Sequence, residues 1–341
     1  MNAARLHPAL LLGAILCMTA CARSGPEPLV LSGVTMGTTW EVKIADPPAS
    51  VSPEALQRGI LGILDEIDRS MSTYRPDSEL SRLNADASGD WFALSDSLHA
   101  VLLAALDVSQ QTNGAFDVTV GPVVNLWGFG PDRRPRRVPS DAEREAALAR
   151  SGFRKLEIDP AAPRARKQIA DLFIDLNGIA PGHAVDRIVE YLSGAGCGNF
   201  LVELGGEIGA RGTGPGGRDW RVGIERPLPG PRGAERVVLL RNAGLSTSGD
   251  YREFFEEGGI RYGHTIDPAS GKPVSHGLAA VTVVHASAMR ADALATALMV
   301  LGPEAGRAFS EREGIAALFI IRDGAGFEEL TSPQMRALLN E

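Results

Sequence analysis

Between residues 199 and 285 the chain runs through four strand-like segments with no helical period between them. They are "NFLVELG" (199–205), "WRVGIE" (220–225), "RVVLL" (236–240) and "LAAVTVVH" (278–285). Parallel neighbours need a crossover, usually a helix, so this run excludes a barrel of eight regular βα units. Further strands are expected around Thr38 to Ile44, in "LFIDL" (172–176) and in "IAALFII" (315–321). Helices flank them. Ser52 can cap one, Pro53 suits its first turn, and Leu56, Ile60, Ile63, Leu64, Ile67 and Met71 recur at helical spacing. Ser95 opens a second, which Asn113 and Gly114 stop. Others are expected over 140–150, 181–192 and 289–301, with a short one after Pro333. At 341 residues, without a long polar or Pro-rich linker, the chain reads as a mixed α/β or α+β globule: one large domain or two intimately packed lobes.

The first twenty residues stand apart. Arg5 and His7 precede "PALLLGAILCMTAC", an apolar run too short to span a bilayer comfortably. It ends with small residues before Cys21 and resembles the lipobox of bacterial lipoproteins. The expected organisation is a signal peptide over 1–20, a tether over 21–28 beginning at a lipidated Cys21, and a folded domain over 29–341. Cys17 would leave with the signal, so Cys197 is the one remaining free thiol and no intramolecular disulfide is possible. A net charge of −8, with four Tyr and four Trp, speaks against nucleic-acid binding.

Several familiar signatures fail on context. "GTGPGG" (212–217) fits G-x-G-x-x-G literally, but a strand follows where the dinucleotide fingerprint needs a helix, so a hairpin loop is expected. There is no P-loop, no H-E-x-x-H and no paired C-x-x-C, and "GLSTSGDY" lacks the glycines of a nucleophile elbow. His99 reads as a helix-surface residue and His183, heading a helix, as packing or touching ligand without doing chemistry. In "RADALATALMVLG" (290–302), Asp292 and Thr296 interrupt an otherwise apolar helix four residues apart, which puts a carboxylate and a hydroxyl on one face. Asp292 suits a helix N-terminus, and equally a hard cation, which takes oxygen ligands.

Polar residues also recur in glycine-bearing segments at element ends, where backbone can approach a ligand. These are "TMGTTW" (35–40), "MSTYRPDSELSRLN" (71–84), "GAFDVTVGPVVNLWGFG" (114–130), "DLNGIAPGHAVDRI" (175–188), "LVELGGEIGARG" (201–212), "GLSTSGDYREFF" (244–255), "HTIDPASGKPV" (264–274) and the helix just quoted. In this order they resemble the ApbE family of FAD:protein FMN transferases.

The resemblance implies a two-lobed α+β fold with FAD between the lobes. It implies a Mg2+-dependent enzyme that cleaves the FAD pyrophosphate, attaches FMN to a threonine of an acceptor protein and releases AMP. By motif position, Met36, Tyr74, Ala115, Phe116, Asp117, Asp175, residue 181 and Ile266 would line the flavin site. His264 would be catalytic, or else a structural histidine bonding the turn at Asp267 and Pro268. A backbone carbonyl near Gly178 and the side chains of Asp292 and Thr296 would hold the metal. Asp117 is expected to face the ligand, with a turn cap as the alternative. Tyr74 could equally be a loop aromatic. The family places a charged residue where this chain has Pro181, which offers neither charge nor N–H. The implied location is the periplasmic side of a bacterial membrane, by family the inner one. An FAD pyrophosphatase and a non-catalytic flavin-binding lipoprotein are the other readings.

Overall fold

The computed structural model describes residues 27–132, 134–228, 234–251, 253–324 and 326–339. The expected signal peptide and Cys21 lie outside them. Strands β1 (Leu29–Thr35) and β2 (Thr38–Ile44) form a hairpin. A mainly helical insertion follows: α1 (Pro53–Met71), α2 (Glu79–Ala85), β3 (Phe92–Ala93), α3 (Asp96–Gln111), α4 (Gly121–Trp127), α5 (Asp141–Ala149), β4 (Leu156–Ile158) and β5 (Arg164–Lys167). Helix α6 (Ala180–Gly194) leads back to β6 (Phe200–Leu204) and β7 (Glu207–Arg211). Next come β8 (Trp220–Glu225), β9 (Ala234–Leu240), β10 (Ala243–Gly249), β11 (Phe254–Glu257), β12 (Ile260–Gly263), β13 (Ile266–Asp267), β14 (Lys272–Pro273) and β15 (Leu278–His285). The chain closes with α7 (Ala288–Glu313), β16 (Ala316–Asp323), β17 (Gly326–Thr331) and α8 (Pro333–Arg336).

The main sheet has eight strands in the order β1-β2-β6-β7-β10-β15-β16-β17, every neighbouring pair antiparallel. Its strands alternate. Val281, Val283, Ala317 and Phe319 enter one large core with α1, α6 and α7, whereas Ala280, Val284, Leu318 and Ile320 meet the β8–β9 ribbon on the other face. The period of two thus gives both faces of β15 and β16 an apolar cover. The large core also takes in α2 and α3, so the lobes share it. A smaller apolar cluster joins α4 and α5 to Phe129 and Ile266. Cys197 is buried. No helix among the described residues is long and apolar enough to cross a membrane.

Helix starts follow local rules. The Ser52, Ser95 and Ser140 hydroxyls accept from the amides of Ala55, Leu98 and Glu143. Two expectations are corrected. Residues 172–176 form no strand: at Ile174 the Asn84 side chain takes both polar groups, Oδ1 accepting from the N–H at 2.7 Å and Nδ2 donating to the carbonyl at 2.9 Å, and the Asp175 amide donates to the Val118 carbonyl at 2.7 Å. "GTGPGG" is no hairpin loop, since it links β7 of the main sheet to β8 of the ribbon. The helix expected to end at Leu301 does end there: Gly302 (φ 78°, ψ −178°) is non-helical, and a second helical stretch beginning at Pro303 completes α7 to Glu313.

Candidate active site

Helix α7 is capped by Ser287, whose hydroxyl accepts from the Arg290 amide at 3.2 Å. Asp292 is therefore not needed at its own helix start. Its Oδ2 accepts instead from the Gly182 amide at 3.1 Å, in the first turn of α6, where Ile179 provides no side-chain cap. The capping role is real but belongs to a different helix. One turn further along α7, Thr296 Oγ1 lies 3.3 Å from Ser248 Oγ on β10. A Cβ on Gly178 would come within 3.1 Å of Thr296 Oγ1 and 3.4 Å of the Phe116 ring, so Gly178, Thr296 and Phe116 converge closely.

Another carboxylate acts on Asp292. Glu207 opens β7 alongside the middle of β10, and its Oε1 lies 3.5 Å from Ser246 Oγ. Asp292 is only 5% exposed; burial, and then the Glu207 charge, push its pKa well above the usual carboxylate range. Carboxylates, hydroxyls and nearby backbone carbonyls make an oxygen-only donor set, which suits a hard divalent cation. Among the described residues no group of three or more His, Cys, Asp and Glu could hold a metal, so hydroxyl and backbone oxygens would have to complete a cation's coordination. Nothing in the sequence reading singled out Glu207, Ser246 or Ser248. Their available signal was the serine alternation in "GLSTSG", which puts two hydroxyls on one strand face.

A second group gathers on loops. Tyr74 is 60% exposed, and burial of its hydroxyl, then the charges of Asp175 and Glu253, raise its pKa. Asp175 Oδ1 accepts from the Asn177 amide at 2.9 Å, and desolvation raises its pKa. The Glu253 carbonyl in turn accepts from the His264 amide at 3.1 Å and lies 3.3 Å from His264 Nδ1. With the proton on Nδ1, Nε2 is left as an acceptor. The alternative bond from His264 to the turn at Asp267 is not made: Asp267 accepts from the Ala269 and Ser270 amides.

The other expected residues divide. Met36 is 40% exposed at the tip of the β1–β2 hairpin, with φ 45° beside Gly37 at φ 75°. Ala115 and Phe116 are fixed by Thr112, whose carbonyl and hydroxyl accept from their amides at 3.2 Å each. Asp117 does not present its carboxylate to a ligand. Oδ1 accepts from the Thr119 amide and hydroxyl at 2.8 and 2.6 Å, and Oδ2 from the Phe153 amide at 2.9 Å, so it ties down the loop at 151–153. Ile266 likewise buries its side chain in the small apolar cluster, leaving only backbone for a ligand. Pro181 lies in the first turn of α6, where a missing N–H costs nothing. That turn offers no open amide, because Ala180 donates to Leu176, Gly182 to Asp292 and His183 to Ile179.

A sequence model of the ApbE family matches residues 36–319. A Vibrio cholerae protein described as FAD:protein FMN transferase is 41% identical over 97% of this chain and 98% of its own. A Salmonella typhimurium protein of the same description is 38% identical over 93% and 91%. Among solved structures, the flavin transferase ApbE from Vibrio cholerae superposes with a TM-score of 0.85 at 42% identity, covering 92% of this chain and 99% of that one. The apo flavinyl transferase ApbE of Pseudomonas stutzeri gives 0.84 at 43% identity, covering 92% and 96%.

Proposed function

The chain belongs to the ApbE family, and from that premise we propose that it is an FAD:protein FMN transferase. A threonine hydroxyl of an acceptor protein attacks the phosphorus of the FMN half of FAD. The bond to the bridging oxygen breaks, AMP leaves, and a phosphodiester joins FMN to the acceptor. His264 Nε2 takes the proton of the attacking hydroxyl, since Nδ1 faces the Glu253 carbonyl. Tyr74 and Met36, the exposed members of the set, hold the isoalloxazine at the rim.

Asp292, Thr296 and the carbonyl near Gly178 would hold Mg2+, which when bound neutralises phosphate charge. The observation that carries this reading is the convergence of Gly178, Thr296 and Asp292 at the first turn of α6. With that turn's amides occupied, phosphate charge must be met by something other than the N-terminus of α6. Incubating purified protein with FAD, Mg2+ and a candidate acceptor tests the whole: a covalent FMN mass on the acceptor is expected. Free FMN with AMP would make it a pyrophosphatase, and no turnover a flavin carrier.

The chain is further read as a lipoprotein anchored through Cys21 on the periplasmic side of a bacterial membrane, by family the inner one. The support is the short apolar leader ending in "MTAC". Cys21→Ser is expected to release the protein from membranes or leave it unprocessed; membrane partition equal to wild type after signal removal would sink the anchor.

A further inference from the structure

The helix that carries Asp292 and Thr296 is itself held at its start by α6. Asp186, in the second turn of α6, accepts three hydrogen bonds there: from Ser287 Oγ at 2.6 Å, the Ala288 amide at 2.8 Å and the Met289 amide at 3.1 Å. Asp292 returns the favour by accepting from Gly182. Each helix thus caps the other with an acid. Contact is close enough that a Cβ on Gly182 would lie 2.5 Å from the Ala288 carbonyl oxygen, and one on Gly244 2.5 Å from the Ala288 amide nitrogen. The first turn of α7 is wedged between α6 and β10 with no room to slide.

Asp292 follows Ala288 by one helical turn and Thr296 follows by two, while Gly178 lies just before α6. The height of α7 against α6 therefore sets how far both side-chain oxygens stand from the Gly178 backbone. We propose that Asp186 is a positioning residue for the divalent-cation site: by clamping the start of α7 onto α6, it holds Asp292 and Thr296 at the spacing that a small octahedral ion requires. Mg2+ tolerates little departure from ligand distances of about 2.0–2.1 Å, so a slackened α7 loses affinity before it loses its fold. Asp186 touches neither ion nor substrate. The inference rests on the reading that Asp292 and Thr296 bind a cation.

The test is calorimetric titration of MgCl2 into the purified protein, with thermal melting of the same samples. Asp186→Asn keeps the shape but leaves one acceptor oxygen for three donors. It is expected to weaken Mg2+ binding about 10–100-fold, the usual effect of losing a group that orients metal ligands. FMN transfer should recover at saturating Mg2+. Ser140→Ala, at the distant α5 cap, should lower the melting temperature and leave Mg2+ affinity unchanged. If Asp186→Asn fails to fold, Ser287→Ala, which removes one of the three bonds, should still weaken Mg2+ binding. A folded Asp186→Asn, or failing that Ser287→Ala, with wild-type Mg2+ affinity would reduce Asp186 to a helix clamp and overturn the proposal. Wild type that binds no Mg2+ would instead remove the cation reading beneath it.

Discussion

Asp292 accepts from the Gly182 amide and, in the function proposed, also holds the cation, and its variants separate the two roles. Asp292→Asn keeps an oxygen for the Gly182 amide and removes the charge, so its melting temperature should stay near wild type while Mg2+ dependence and FMN transfer collapse. Asp292→Ala also strands a buried amide, at about 1–3 kcal/mol, and should melt lower as well. Thr296→Ala loses one neutral ligand that water can replace and should be milder. Melting curves and transfer rates across a Mg2+ titration check all three; an Asp292→Asn enzyme with wild-type Mg2+ response would return the residue to a cap. The pairing of Asp292 with Thr296 was legible because helical spacing alone puts the two on one face. The partner at Gly182 was not, since no local rule links residues so far apart in the chain. Asp117 shows the converse: the two possibilities left open for it, ligand contact and turn cap, differ only in where Thr119 and Phe153 point their donors.

At the level of elements, the segment over 172–177 illustrates what periodicity cannot tell. Its composition is that of a strand, but both polar backbone groups of Ile174 are taken by one side chain, Asn84 from α2, and the Asp175 amide donates to the Val118 carbonyl. Asn84→Ala should leave the buried Ile174 amide and carbonyl unpaired, costing about 1–3 kcal/mol and letting the turn that presents Asp175 and Gly178 drift. A lower melting temperature together with a raised KM for FAD is the expected result. An unchanged KM would mean that the segment holds its shape without the pin. The main strands were readable because both faces of the sheet are covered by apolar layers, which demands continuous apolar runs such as "LAAVTVVH". Ribbon and sheet could not be told apart from sequence, because β8 and β9 have the same strand chemistry as β10 and differ only in their pairing.

For the whole molecule, burial sets a response to acid. His183, 7% exposed and 3.1 Å from Ser97 Oγ, has its pKa lowered to about 4, first by burial and then by Arg187. The unfolded chain, with its histidine near the ordinary value, then binds the proton more readily. Stability from this group is full above about pH 6.5 and is lost as pH falls toward 4, by about 3 kcal/mol in all. The carboxyls of Asp117 and Asp175, whose pKa values desolvation raises, act in the opposite sense. The comparison with His183→Gln therefore isolates the histidine: urea midpoints of the two proteins should draw apart between pH 7 and pH 4.5, with wild type losing more. Parallel curves would contradict the assignment. The order of the main sheet carries a consequence in time. Ile44 of β2 pairs with Phe200 of β6, so the whole helical insertion must exist before the third strand can join the first two. A lone hairpin is marginal in water, and pairings this distant form slowly. The nascent chain therefore has only the first hairpin of its main sheet until well over half of it has been made, and if the chain is exported as proposed, this late closure keeps the sheet from jamming a narrow channel.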